Sequence, residues 1–213
     1  MSIKVLLVTP YSFKKYGGVQ NQVNLIEEYL SKHEEFEVKV FAYGKTESLD
    51  SNKVFNIPFN SSISSVLLFP NRKLLSDYID WADVVHVHEP FVPLFFWKLP
   101  KSKKYIFTHH ASLGAIITNT LSIIYKFFRY TSISTYVSKS AESNALALNS
   151  EPQLIPNMIK INQHISFNKN QGYLFIGRQE IRKNYSFFVK LSNHKQFTNK
   201  LFYAVTNKDK SDK

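Results

Sequence analysis

The feature that most constrains this chain is its alternation of short apolar strands with amphipathic helices. Val5–Val8 is an unbroken apolar run. A run of that length predicts a strand buried on both faces. A loop, Pro10–Gly18, follows it. Val19, Val23, Ile26 and Leu30 then recur at helical spacing, which predicts a helix from about Val19 with one apolar face. Further along, Glu37–Tyr43 and Lys53–Ile57 predict strands, Asn71–Asp80 a short helix, and Val84–His88 and Tyr105–His109 two more strands. Ile116–Tyr130 predicts a helix, Thr135–Val137 a strand end, Lys139–Leu148 a helix, and Leu154–Ile155 a strand closed by Pro156. Such alternation implies an α/β fold: a Rossmann-like parallel sheet covered by helices on both faces. Sheets of this kind hold ligands beyond the carboxyl ends of their strands, where the strand order reverses.

The polar stretch Lys160–Gln171 carries three Asn and reads as a linker. Beyond it, Tyr173–Ile176 predicts a strand, a loop runs to Asn184, a helix follows to about His194, and Leu201–Thr206 predicts a last strand. The expected division is 1–168 as one domain and 169–213 as a single βαβ segment. One such segment cannot bury both faces of its own sheet, so it needs another surface to pack on.

Charge narrows the partners. The net charge is +11: residues 1–168 hold 17 basic and 13 acidic side chains, a net of +4, and residues 169–213 hold 10 and 3, a net of +7. A basic excess draws phosphorylated substrates, acidic lipid or nucleic acid. No recognised nucleic-acid module occurs, so nucleic acid is not an expected partner. Arg72, Lys73, Lys126 and Arg129 lie on expected helices near many aromatics. They suit either an anionic membrane surface or ordinary solvation. The chain has no Cys, which excludes disulfides, thiol nucleophiles and Cys-ligated metals. Val5–Val8 is too short for a signal-peptide core and no apolar run is long enough to span a bilayer. The expected location is cytoplasmic, or peripheral on the inner membrane face.

Four short segments can carry chemistry. In the first loop Gly17 and Gly18 lack Cβ, and a helix N-terminus follows; the pair suits a phosphate or diphosphate, and it equally suits a plain turn. The run is neither a G-x-G-x-x-G fingerprint nor a P-loop. His86 and His88 share one side of a strand, with Glu89 at its exit. They can form a hydrogen-bonded pair or reach a cation together; no third ligand is evident, and no metal is expected. His109 and His110 alternate faces, so only one can reach a cleft, to move protons or to orient a loop. Finally, Arg178, Arg182 and Lys183 precede a helix. They can neutralise a leaving diphosphate or form a solvated basic turn.

Taken in order, these segments resemble the retaining glycosyltransferases of family 4. The likeness rests on Pro10-Tyr-Ser-Phe13 with Gly17-Gly-Val-Gln20, His86-Val-His-Glu-Pro90, Thr108-His-His-Ala-Ser112, Tyr136-Val-Ser138, Ile155-Pro-Asn157, and Gly177-Arg178 with Arg182-Lys183. It is strongest toward the phosphatidylinositol mannosyltransferase branch, whose acceptor-side loop Ile57-Pro-Phe-Asn-Ser-Ser62 also fits. The resemblance implies a GT-B fold of two Rossmann-like domains facing a cleft, the first for the acceptor and the second for the sugar nucleotide. It implies that Gly17 and Gly18 approach the donor diphosphate, which Arg178 and Lys183 hold. It places Tyr11, Gln20, Asn60 and Ser62 on the acceptor side and His110 beside the reacting sugar. Catalysis would fall to His110, Arg178 and Lys183, with a nucleotide sugar as substrate, a lipid or glycan hydroxyl as acceptor, and neither metal nor cofactor.

The sequence also departs from the family's pattern. Pro156-Asn-Met-Ile-Lys160 stands for the usual Pro-Asn-Gly-Val-Asp, Asn184 for a common Gly, and Ser65 for the basic residue of phosphoinositide-recognising members. The family's paired-glutamate motif does not occur. The donor side is therefore expected to be partial, which opens a non-enzymatic alternative: a binding module or subunit, completed by a homo-oligomer partner or a second chain.

Overall fold

The computed structural model describes residues 2–49, 52–59, 62–92, 95, 99, 105–128, 132–148, 150–161, 172–179 and 181–206. In chain order its elements are β1 (Ile3–Val8), α1 (Gly18–Leu30), β2 (Phe36–Phe41), β3 (Phe55–Phe59), β4 (Ser62–Val66), α2 (Arg72–Trp81), β5 (Val84–His88) and β6 (Tyr105–His109). These continue as α3 (Ala115–Phe128), β7 (Ser132–Tyr136), α4 (Glu142–Leu146), β8 (Gln153–Leu154), β9 (Gly172–Ile176), α5 (Tyr185–Ser192) and β10 (Leu201–Val205). They gather into two compact units, Met1–Asn56 with Ser65–Lys160, and Ile57–Ser64 with Ile161–Lys213.

The first unit is a Rossmann-like α/β sheet in the order β2-β1-β5-β6-β7-β8, and every neighbouring pair is parallel. The register shows why the apolar runs are continuous. Leu6 and Val8 point with Val85, Val87, Tyr105 and Phe107 to one face, where Leu75 and Ile79 of α2 and Leu121 of α3 complete the core. Val5 and Leu7 point with Val40 to the opposite face, where Val23, Ile26 and Leu30 of α1 pack. Burial on both faces removes the polar alternation that a half-solvated strand would show.

The second unit holds β9, α5 and β10. β9 and β10 pair in parallel. One face of the pair packs α5 through rings: Phe175 lies 5.0 Å from Tyr185 and 5.5 Å from Phe188, and Phe188 lies 5.4 Å from Phe202. The other face carries Leu174, Ile176, Tyr203 and Val205, all exposed.

Some elements differ from expectation. The stretch expected as one strand followed by an acceptor loop is a two-stranded sheet, β3 with β4. The serines of Ser-Ile-Ser-Ser-Val hide the second strand, because Ser carries little strand preference. β4 is held by Ser12 N–H, which donates to Ser65 O at 2.9 Å, and by its end at Leu67, whose N–H donates to Pro10 O at 2.7 Å. The helix expected over Lys139–Leu148 is a 3-10 turn, Lys139–Ala141, followed by α4. Among the described residues no helix is long and apolar enough to cross a membrane.

Candidate functional site

Strand order reverses between β1, which leads outward to β2, and β5, which leads to β6, β7 and β8. A ligand crevice is expected beyond the carboxyl ends of these two strands. Five segments of the first unit meet there: the loop after β1, the start of α1, and the ends of β5, β6 and β7.

The cross-strand register brings three histidines onto one face. His86 and His88 alternate on β5, and Thr108 and His110 lie on that face of β6 and its end. The rings of His86 and His88 are 4.2 Å apart, and those of His88 and His110 are 5.2 Å apart. His88 Nδ1 and His110 Nε2 are hydrogen-bonded at 2.9 Å. His86 Nε2 lies 2.7 Å from the Thr108 hydroxyl, which lies 2.6 Å from that of Thr135. The Thr135 hydroxyl is also within reach of Phe107 O. Either hydroxyl can donate within the Thr108–Thr135 pair, and His86 Nε2 donates or accepts according to its tautomer.

Burial keeps these rings neutral. Desolvation lowers His86 and His110 to about 4, with the His110 ring adding repulsion at His86, and it takes His88 well below the ordinary range. His109 points to the other face, against Phe91 with ring centroids 4.9 Å apart, and desolvation lowers it to about 3. As the alternation of His109 and His110 predicted, only one of them joins the cluster. Neutral imidazoles at physiological pH orient and polarise hydroxyl groups rather than supply charge. The 2.9 Å contact also has the His88 and His110 nitrogens bonded to each other rather than splayed about a cation. Among the described residues no group of three His, Cys, Asp or Glu side chains is arranged to hold a metal.

Glu89 closes β5. Its carboxylate accepts the backbone N–H groups of His110 and, at 2.8 Å, Ala111. Burial raises its carboxyl to about 7 against the pull of those two donors. Its backbone is left-handed, with φ 57°. For a side chain with a Cβ that conformation costs about 1–2 kcal/mol. Tyr11, an expected acceptor-side residue, bridges to Val66, and burial together with the nearby Glu89 charge raises its phenol.

The two glycines before α1 have different reasons. A Cβ on Gly17 would run into the Gln20 carboxamide. That side chain folds back, and its Nε2 donates to Ser12 O at 2.9 Å and to Lys15 O at 3.2 Å. Gln20, expected on the acceptor side, thus ties the loop together. A Cβ on Gly18 would meet nothing within 4 Å. Gly18 opens α1, whose first turn holds neither an acidic residue nor a side-chain cap.

Of the other expected residues, Asn60 lies outside the described residues, and Ser62 opens β4 with a side chain that is not described. In the second unit, Arg178 is half-buried just after Gly177, and exposed Lys183 ends the 3-10 turn Ile181–Lys183. The Lys183 Cδ would lie 3.8 Å from a Cβ on Gly177. The two cations therefore border the same glycine. The Arg182 and Lys126 side chains and all of Arg129 lie outside the described residues.

The structure adds one residue that no local motif marks, Gln22, and joins it to the segment of the Ile155-Pro-Asn157 motif. Gln22 of α1 pairs both amide atoms with the backbone N–H and O of Met158, at 2.7 and 2.9 Å, and Asn157 lies close enough to the His110 ring to favour its protonated form. Their separation in sequence leaves no local signal.

Comparison with known proteins follows the same outline. No curated protein matches the chain. The model of Glycosyltransferase Family 4 matches residues 16–163. That span takes in the glycines, the histidine cluster, Glu89 and Asn157, and stops short of Arg178 and Lys183. As the match covers well over half of the 213 residues, the chain belongs to Glycosyltransferase Family 4.

Proposed function

We propose that this glycosyltransferase-family chain moves a hexose from a nucleotide-sugar donor to a hydroxyl of a lipid or glycan, with retention at the anomeric carbon. The observation that carries the reading is the β1/β5 switch point, where a glycine-led helix start without a side-chain cap follows β1 and part-buried, neutral His110 follows β6. The helix start suits an anionic diphosphate. His110 suits an uncharged sugar hydroxyl, which it orients by hydrogen bonding. In the second unit Arg178 and Lys183 are assigned to the negative charge that develops on the leaving diphosphate. Tyr11, Asn60 and Ser62 are assigned to the acceptor.

The finer acceptor follows from Ser65. It is buried, and its hydroxyl donates to Asn56 Oδ1 at 2.6 Å. A phosphoinositide headgroup therefore has no cation at this position, and we favour an acceptor recognised through its hydroxyls over a phosphorylated one.

The test is turnover of nucleotide sugars by the full chain, with the product anomer read by NMR. Hydrolysis or transfer that retains configuration is expected. Arg178→Ala should lower turnover by about 10²–10³, an effect far larger than that on folding. Gly18→Ala is the sharper probe. Its new Cβ has open space, so lost donor affinity without lost stability would report a ligand at that backbone. Failure of the intact chain to bind or turn over any nucleotide sugar would overturn the reading.

A further inference from the structure

The segment that ends the first unit, Ile155–Lys160, has no regular secondary structure, and its side chains are exposed. Its backbone is nevertheless pinned. Ile155 N–H donates to Tyr136 O at 2.9 Å, which extends the β7–β8 ladder by one residue. Met158 is gripped twice by one side chain: Gln22 Oε1 accepts its N–H at 2.7 Å, and Gln22 Nε2 donates to its carbonyl at 2.9 Å. Lys160 pairs with Glu28 at 2.9 Å. Between these anchors sits Asn157, close enough to the His110 ring to favour its protonated form against desolvation.

The anchors are unequal. A carboxamide paired both ways with a peptide reproduces one rung of a β-ladder and fixes position along the chain as well as distance. Gln22 is only 7% exposed and lies on the buried face of α1. A polar side chain there is tolerated because both of its amide atoms are bonded. Lys160 and Glu28 are well exposed, so their pair contributes little and tolerates slippage. Register in this segment is therefore set by Gln22. One residue of slip would carry Asn157 away from His110, whose Nε2 is already engaged by His88.

We infer that Gln22 is a positioning residue for His110: by pairing with the Met158 peptide it fixes the 155–160 segment in the one register that sets Asn157 against the His110 ring. The kinetic consequence rests on the assignment of His110 to the reacting sugar. The contact chain itself does not.

The experiment follows the ring directly. The full chain is prepared with ¹⁵N in its backbone and histidine rings, and His110 is assigned by comparison with His110→Asn. Gln22→Ala should expose the Met158 amide to exchange and shift the His110 ring nitrogens in the same direction as Asn157→Ala. The double variant should add no further shift, and Glu28→Ala should leave the ring unchanged. With a nucleotide-sugar donor, Gln22→Ala and Asn157→Ala should each lower kcat/KM about tenfold, the loss expected from one hydrogen bond made in the transition state. Where Gln22→Ala does not fold, Gln22→Glu keeps the acceptor for Met158 N–H and loses the donor, and it should give a partial ring shift. Unchanged His110 signals in a folded Gln22 variant would overturn the inference. Ring shifts in a chain that turns over no nucleotide sugar would sink the transferase reading and leave the positioning role standing.

Discussion

β1 and β9 each open a β–α–β run, and each pairs in parallel with the strand that follows its helix. Leu6, Leu7 and Val8 of β1 are wholly buried, whereas Leu174 and Ile176 of β9 are 59% and 70% exposed. The difference lies in cover rather than composition. α1 closes one face of the first sheet and α2 with α3 close the other, while among the described residues α5 covers a single face of the β9–β10 pair. Burial stabilises by roughly 25 cal/mol for each Å² of apolar surface removed from water, so β1 gains more from its cover than β9 does. Hydrogen bonds of 2.6–2.9 Å among His86, His88, Thr108, Thr135 and His110 depend on fixed register, and they sit in the covered sheet. Arg178 and Lys183, proposed for the leaving diphosphate, lie in the unit whose sheet is covered on one face among the described residues.

The contrast can be broken most directly by truncation. Phe107→Ala, in the covered core, should cost about 3–5 kcal/mol in urea unfolding. Leu174→Ala should stay within about 0.5 kcal/mol. Equal costs would show that the β9–β10 face is covered in solution.

Acid comes next. His86, His109 and His110 have folded pKa values of about 4, 3 and 4, and His88 is also depressed, so each binds its proton less readily in the folded chain than at its ordinary value near 6.5. Their contribution is complete above that value and lost as pH falls toward 4. Glu89, raised to about 7, acts with the opposite sign: its contribution shrinks as pH rises from about 4.5 to 7. The thermal midpoint should therefore fall between pH 6.5 and 4, and fall more steeply in Glu89→Gln. A midpoint independent of pH would mean that the rings are hydrated.

The helix starts give the smallest effect. Asn71 caps α2 by accepting Leu74 N–H at 3.2 Å, so Asn71→Ala should cost about 1 kcal/mol. Asn184 makes no side-chain cap for α5 and instead sits left-handed at φ 55°. Asn184→Gly should be nearly neutral, and Asn184→Ala should cost about 1 kcal/mol. If Asn184→Gly were as costly as Asn184→Ala, the backbone explanation would fail.

These elements also show what a sequence can disclose. β1, β5 and β6 are legible because continuous apolar runs are what two-sided burial selects. β4 is not, since its serines carry no such pattern. β7 is only half legible: Thr135–Val137 was the expected strand end, and Ser132–Tyr136 is the strand. The departure at Asn184 makes sense once its left-handed backbone is known, because Gly and Asn are the residues that accept it. Within the site, local alternation separated His109 from His110 correctly. The bond between His88 and His110 depends on which residue of β6 faces His88, and that is a tertiary property. The Gln22–Met158 pairing joins residues 136 apart and leaves no local trace at all.

Glu89 sets a boundary for anyone making this protein more heat-tolerant. Glycine would relax the left-handed backbone by about 1–2 kcal/mol. The same exchange would strip the carboxylate from the amides of His110 and Ala111, leave those donors unpaired and free the loop that presents the ring. Relief of backbone strain and support of that loop pull this one position in opposite directions.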